Sequence, residues 1–579
     1  MLESNEEENE INEDQDQNQN QNHQIKIEEI DLDPERRLFE DELKKNFSRE
    51  DIDHYFDQIT KDNICAWENK LFETKLSIRD FSNVSDPDIL DEKSNDIKTI
   101  KIIKCDIDRT RVIESLYMNN FKDYEYQVLI YYINKNNISY KQGLNEICGP
   151  FILLKEKLKI SFSQIYKIFV CFIDKFLTNY FHEKEFFSLR SGFSLINLLL
   201  RYHEPNLFHK FDFYLISPDL YATSWIITLF SNKCTLNATY YLWDKLILFD
   251  DSLFPFFFIV AILIYHKDQF LGRNVDSSVI LSILSNLRVD SIEEVNILIN
   301  LATQIRDKTP NSFYILSNKL EIFKYNSKNL KALYEEYKPD KMLAMPIFAN
   351  ELFCILYRDK VGCPDENCDN FLTNKKYNEL SNCIFCRNND LKKKINKIIF
   401  DLRIFENESS DKVDDSFPGY LPNTLRITHD ELRDKNFPLN IIDKYKEDKD
   451  NYHFIIITSE TSNFLRFEKE FYTEKERKVE KLGIFYKSDK QIDIDKVKKK
   501  FDINRGSKKE YLLLKEFDNF MKFIDELNRQ EFKYVSYIYG GYKAIHSFAK
   551  KYKIDLLEHG KKCFLCKEEK RDSSKFSFW

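Results

Sequence analysis

The residues best suited to chemistry lie between Ile103 and Glu146. One signature is Ile103-Lys104-Cys105-Asp106-Ile107-Asp108-Arg109-Thr110, and a second is Tyr140-Lys141-Gln142-Gly143-Leu144-Asn145-Glu146. An arginine can neutralise charge that develops on a transferring phosphoryl group, and a glutamine amide can hold the attacking water. A GTPase is slow until a partner supplies a cation in trans and holds the water-orienting group in place, and such an arginine accelerates it on the order of 10³–10⁵-fold. Asp106 lies one helical turn before Arg109, so it can orient the guanidinium or cap its own helix. Gly143 allows close backbone approach beside Gln142. Each residue also has a plainer reading. An Asp/Arg pair three apart is commonly a surface ion pair, and a lone loop glutamine commonly has no role.

A second set of chemical residues is sulfur. Cys363-x4-Cys368, Cys383-x2-Cys386 and Cys563-x2-Cys566 are three chelating pairs. Four thiolates satisfy a structural zinc, and short spacings place two on one turn. Two quartets fit. The local one is Cys363, Cys368, Cys383 and Cys386; the long-range one replaces the first pair with Cys563 and Cys566. Free surface thiols are the alternative. A complete thiolate quartet leaves no open position for catalysis. Cys65, Cys105, Cys148, Cys171, Cys234 and Cys354 lie in apolar helical contexts and read as core residues.

The elements around the first pair read as helices. Phe121, Tyr124, Val128, Leu129, Tyr132 and Ile133 form one stripe between the two signatures. Further helical runs follow to residue 306, with Ser217-Pro218-Asp219 as a start signal and Ser291-Ile292-Glu293-Glu294 as a capping box. Residues 45–306 therefore read as one all-helical domain, preceded by an acidic Asn/Gln-rich tail over 1–36 with too little apolar surface to fold. A helical connector is expected over 307–358 and a Cys-rich segment over 359–392. Then β-type runs at 397–402, 454–458 and 534–539 alternate with helical patterns. That alternation predicts a small α/β domain with a largely parallel sheet over 393–556. A charged surface insertion falls at 467–512, and a tail with the last Cys pair at 557–579.

Bulk properties bound the rest. Apolar residues reach 42% and aromatics 15%, enough for large cores. The net charge of -9 gives no basic field for nucleic acid. The run from Leu253 to Tyr265 is shorter than the roughly 20 residues a bilayer requires, so it reads as a buried helix. Met1 to Asn22 has no apolar core, unlike a signal peptide. A cytoplasmic chain without a transmembrane segment is expected, with peripheral membrane association open to it.

Ile103-x-x-Asp106-x-x-Arg109-Thr110 followed by Tyr140-x-Gln142-Gly143 resembles the two signature motifs of TBC-domain Rab GTPase-activating proteins. Ser217-Pro218-Asp219-Leu220-Tyr221 through Trp225, and Leu242-Trp243-Asp244, look like further motifs of that family. The resemblance implies an arginine finger at Arg109 and a glutamine finger at Gln142, supported by Asp106, Thr110, Tyr140, Gly143 and Asn145. GTP and Mg would belong to the Rab partner, leaving the activator without a catalytic cofactor. One position departs: the family's early Arg-x-x-x-Trp motif would end at Trp67, and position 63 is Asn.

Phe400-Asp401-Leu402-Arg403, Gly419-Tyr420-Leu421-Pro422-Asn423-Thr424 and Tyr539-Gly540-Gly541-Tyr542 resemble landmarks of a rhodanese fold. The chain is thus similar to the branch that joins a TBC domain to a rhodanese-like domain. That branch implies Golgi-side tethering of endosome-derived vesicles, golgin-type partners, and location at Golgi, trans-Golgi or endosomal membranes. Sulfur transfer needs a thiolate on the loop after the central strand. The sequence places no Cys between Cys386 and Cys563, so a non-catalytic module is expected.

Overall fold

The computed structural model describes residues 59–75, 97–115, 118, 120–356, 395–405, 415–460 and 508–569. Its N-terminal part is helical throughout. The apolar helix Phe254–Tyr265 forms the centre, with Phe254 to Leu263 all buried. It packs on helices Ile292–Lys308 and Phe187–His203. Burying each such large side chain stabilises by roughly 1.5–3 kcal/mol, which is why this helix is apolar on every face. No helix among the described residues is long and apolar enough to cross a membrane.

Helices Phe121–Asn136 and Leu144–Leu158 pack together, and helix Ile97–Ile107 lies against both. Phe121, Val128, Leu129, Tyr132 and Ile133 are buried, as the stripe requires. Pro150 sits inside helix Leu144–Leu158. It has no N–H for the carbonyl of Glu146. The Ser231 hydroxyl donates to that carbonyl instead, at 2.6 Å.

Two start signals work differently from the sequence expectation. Ser291 accepts from the Glu294 amide, but Glu294 answers with a bond from the Asp290 amide, so the box is not reciprocal. Ser217 bonds the Asp219 carboxylate rather than a backbone amide. Cys148, Cys171 and Cys234 are buried, whereas Cys65 and Cys105 are exposed, on the outward faces of their helices.

The C-terminal part is built on five parallel strands in the order β1-β5-β4-β2-β3. They are β1 (Met345–Ile347), β2 (Asn396–Asp401), β3 (Leu425–Arg426), β4 (Tyr452–Ile457) and β5 (Val535–Ile538). The period of two divides the core into two layers. Phe400, Phe454, Ile456 and Tyr537 meet Phe517, Phe520 and Phe523 of helix Lys508–Arg529. Ile399, Ile455, Ile457 and Ile538 meet Ile545 and Phe548 of helix Gly541–Lys551 on the other face.

β1 falls in the span that reads as a helical connector. The stretch is three residues long and carries Pro346, which is tolerated because the strand is an edge. The same span ties the two parts together. Glu351 accepts from the amides of Asn311 and Ser312 at 2.8 and 2.6 Å, at the start of helix Ser312–Lys319. The Tyr534 amide donates to the Tyr202 carbonyl at 2.9 Å.

Candidate functional site

Arg109 and Gln142 stand on two turns that meet. Helix Ile97–Ile107 ends in a turn where the Arg109 amide donates to the Asp106 carbonyl at 3.0 Å. Asp106 is buried, and its carboxylate accepts from the Arg109 guanidinium. Its other oxygen accepts from the Tyr140 hydroxyl at 3.0 Å. Burial and the Asp106 carboxylate drive the Tyr140 pKa far up, so the phenol remains a donor at any physiological pH.

Asn145 binds the turns a second time. Its amide nitrogen donates to Thr110 Oγ1 at 2.8 Å, and its oxygen accepts from the Gly143 amide at 3.1 Å. Gly143 has φ +101°, and a Cβ there would come to 3.0 Å of Ile227 Cδ1. The turn therefore requires glycine for both backbone and space. Gly149 lies one helical layer on, where a Cβ would come to 2.8 Å of Thr110 Cγ2.

Residues on both sides of Gln142 are anchored. Tyr140 is held by Asp106. Lys141 donates to the carbonyls of Tyr180, at 2.9 Å, and Glu183. Burial lowers its pKa to about 8, against the opposing effect of Glu183. Gln142 is left exposed between the anchored Lys141 and Gly143. The Arg109 side chain is 66% exposed while its Asp106 partner is 4%. The arrangement thus projects a cation and an amide from fixed bases. Such preorganised groups can act on charge that develops in a bound partner.

Behind the pair, Arg111 locks the turn. Its guanidinium donates to the Ser231 carbonyl at 2.6 Å, the Cys234 carbonyl at 3.2 Å and Thr239 Oγ1 at 3.1 Å. Ser231 is also the residue that serves the carbonyl freed by Pro150, so one loop fixes both turns. Burial first, then Glu146, pushes the Glu125 carboxyl well above the usual range. Burial also raises Glu146, against the lowering effect of Arg111. Asp106 is the carboxylate that bonds the exposed arginine.

Asp106, Arg109, Thr110, Tyr140, Gly143 and Asn145 form one bonded network, with Gln142 on the same turn. Lys141, Arg111 and Ser231 support it and were not singled out in the sequence. Lys141 lies inside the second signature and Arg111 directly follows the first, so adjacency was the available signal. Trp67 and Asp244, from separate motifs, meet through the Trp67 indole N–H at 2.9 Å. Asn63 accepts from the Thr60 amide at 3.1 Å at the start of helix Lys61–Lys75.

Of the six zinc-candidate cysteines, Cys363, Cys368, Cys383 and Cys386 lie outside the described residues. Cys563 and Cys566 meet two histidines instead, His546 and His559, in a possible metal-binding cluster. In the α/β part, Asp401 and Arg403 form a buried ion pair at 2.6 Å, and Arg403 also donates to the Gly419 carbonyl at 3.0 Å. Tyr542 stacks on Arg403 and donates to the Pro418 carbonyl at 3.2 Å. The three motif stretches of this part therefore touch.

Residues 67–271 match the family model of the Rab-GTPase-TBC domain. The all-helical part of the chain has the TBC fold. The chain is similar to the TBC domain-containing protein kinase-like protein of Homo sapiens and of Gallus gallus, each 27% identical over 192 residues, 33% of this chain and 21% of the relative. It is also similar to TBC1 domain family member 12 of Xenopus tropicalis, 26% identical over 151 residues, 25% of this chain and 21% of the relative. The chain thus spans about a fifth of the length of these curated relatives, 21%. Among solved structures, it overlaps the Ypt/Rab-GAP domain of Gyp1p with TM-score 0.31 and 18% identity, covering 42% of this chain and 79% of that one. The Chlamydomonas flagellar RabGAP TBC domain overlaps with TM-score 0.33 and 16% identity, covering 46% and 89%.

Proposed function

We propose that this chain is a GTPase-activating protein for a Rab-family small GTPase in vesicle trafficking. Arg109 stabilises the charge on the transferring phosphoryl group, and Gln142 orients the attacking water. Asp106 and Tyr140 aim the arginine, while Asn145, Thr110 and Gly143 hold the two turns at one spacing. The partner brings GTP and Mg. One observation carries the reading: two exposed polar side chains rise from a single buried network that joins their turns. The match of residues 67–271 to the Rab-GTPase-TBC domain supports it.

The test is single-turnover GTP hydrolysis across a panel of Rab proteins, with the parent chain, Arg109→Ala and Gln142→Ala. The parent should accelerate at least one Rab, and Arg109→Ala should lose on the order of 10³-fold. If no Rab responds, or both variants match the parent, the catalytic reading fails.

A second reading is an adaptor that keeps the TBC fold for docking and tethers endosome-derived vesicles at the Golgi, bound to golgin-type partners at the membrane periphery. The C-terminal unit favours it. We read that unit as a rhodanese-like domain, and the chain as resembling TBC domain family member 23. The start of its loop after β4, Thr458-Ser459-Glu460, is occupied with structural bonds, the Ser459 hydroxyl donating to Glu516 at 2.8 Å. With no cysteine between Cys386 and Cys563, the loop cannot supply a thiolate for sulfur transfer. Under this reading, Arg109→Ala leaves location at Golgi and endosomal membranes unchanged while removal of the α/β unit abolishes it.

A further inference from the structure

We propose that His546, His559, Cys563 and Cys566 bind one structural zinc ion that closes the C-terminal segment onto the sheet. The site is independent of GTPase activation. Its ligand set differs from either thiolate quartet considered from the sequence, because half of it is histidine.

Four of the six ligand–ligand separations fit a tetrahedral shell. His546 Nε2 and His559 Nε2 lie 3.1 Å apart. Cys563 Sγ and Cys566 Sγ lie 3.4 and 3.5 Å from His546 Nε2, and Cys566 Sγ lies 3.7 Å from His559 Nε2. All four ligand atoms are within 4.8 Å of one another. Zinc bonds of about 2.05 Å to nitrogen and about 2.3 Å to sulfur give tetrahedral edges of about 3.3 Å for N···N and about 3.6 Å for N···S. These four separations lie within about 0.2 Å of those edges.

Hydrogen bonding alone does not account for the cluster. His546 Nδ1 faces Glu569 Oε1 at 3.3 Å. The carboxylate also accepts from Ser547 Oγ at 2.6 Å and Lys550 Nζ at 2.7 Å, so it is fixed behind the ring. With the imidazole N–H on Nδ1, facing that carboxylate, the Nε2 lone pair is aimed inward. Three neighbours, one imidazole nitrogen and two thiols, then converge on one lone pair, which can accept well from only one of them. A cation at the centre resolves the conflict, with the thiols deprotonated. A carboxylate behind a ligating imidazole is also the usual outer partner of a zinc-bound histidine. Two sulfurs and two nitrogens in a tetrahedron select zinc over the hard, oxygen-seeking Mg and Ca ions. Four protein ligands leave no open position, so the role is structural.

The site sits where the chain needs a clamp. His546 belongs to helix Gly541–Lys551, which packs on the sheet; the other three ligands follow on a loop and a short turn of helix. That loop pairs with residues 415–420: Leu557 and Tyr420 exchange amide bonds at 2.8 and 2.9 Å, and the Gly560 amide donates to the Phe417 carbonyl at 2.9 Å. Gly419 in that segment supplies the carbonyl that Arg403 holds. Zinc would therefore fix the loop, the segment it pairs with, and the buried Asp401–Arg403 pair behind them.

The test is zinc content and zinc-edge X-ray absorption of the full chain. In a variant with Cys363, Cys368, Cys383 and Cys386 all changed to Ser, one zinc per chain should remain, with a mixed shell of two nitrogens and two sulfurs. His546→Ala/His559→Ala should lose that equivalent. His559→Cys, which keeps a ligand at a solvent-facing position, should retain it and guards against simple misfolding. Loss of all zinc from the quadruple Ser variant, an all-sulfur shell in it, or full zinc in the double His variant would each overturn the proposal.

Discussion

At the scale of single residues, the site separates groups that act from groups that aim. Arg109 and Gln142 are exposed; Asp106, Thr110 and Asn145 are buried beneath them. Their types and spacing were visible in the sequence because both turns are local. What the sequence concealed was the anchoring. Lys141 reaches carbonyls about forty residues away, and carbonyls leave no mark in a side-chain pattern. Arg111 likewise spends its donors mostly on the backbone of residues 231 and 234. Tyr140→Phe tests the aiming. It removes one donor from Asp106, a bond to a charged group worth about 1.5–3 kcal/mol. The expected outcome is a stimulated single-turnover rate about tenfold or more below the parent, and clearly above Arg109→Ala, with a helical circular-dichroism signature like the parent's. A rate equal to the parent would mean that Arg109 needs no second tether on Asp106.

At the scale of elements, length decided what could be read. β2, β4 and β5 lie where the runs 397–402, 454–458 and 534–539 placed strands. β1 and β3 are three and two residues long, too short to carry a period of two. His546 and His559 were passed over for a related reason. Each looks like a lone histidine until the helix and loop bring them onto one cysteine pair. The start of the loop after β4 is one element that pH can reach. Glu516, buried on helix Lys508–Arg529, accepts from the Ser459 hydroxyl and amide and from the Ile404 amide. Burial raises its carboxyl to about 7 despite those bonds. A raised acid binds its proton more tightly folded than unfolded, so its contribution to stability is full below the unfolded value and is lost as pH rises to about 7. Glu516→Gln is uncharged at every pH. Its midpoint in urea should therefore respond less to pH between about 4.5 and 7 than the parent's. Equal responses would show that Glu516 keeps an ordinary carboxyl.

At the scale of the whole molecule, the helical part and the sheet share a seam of four rings. Tyr202 and His203 end one helix, and His453 and Tyr534 come from β4 and the residue before β5. No local pattern marks this seam, since its helical residues and its sheet residues are some 250–330 positions apart and belong to separately read domains. His203 Nε2 pairs with Thr309 Oγ1 and His453 Nε2 with Ser536 Oγ, each at 2.8 Å. Both rings are buried. Burial lowers each pKa to about 3, reinforced at His203 by Lys308 and Lys533 and at His453 by Lys397. Both are therefore neutral in the fold. A histidine with a depressed pKa adds stability that is complete above its unfolded value, near 6.5, and shrinks as pH falls toward 3. Two such groups in one seam are expected to weaken it as pH falls, and Glu516 works in the opposite direction over the upper half of the range. His203→Gln/His453→Gln keeps a neutral polar atom near each Nε2 and removes the titration. Thermal unfolding measured from pH 7 to pH 5 should give a parent Tm that falls faster than the double variant's, because metal-site and carboxylate effects are common to both. If the two curves run parallel through that interval, the seam does not govern the response to acid and the rings are hydrated rather than buried.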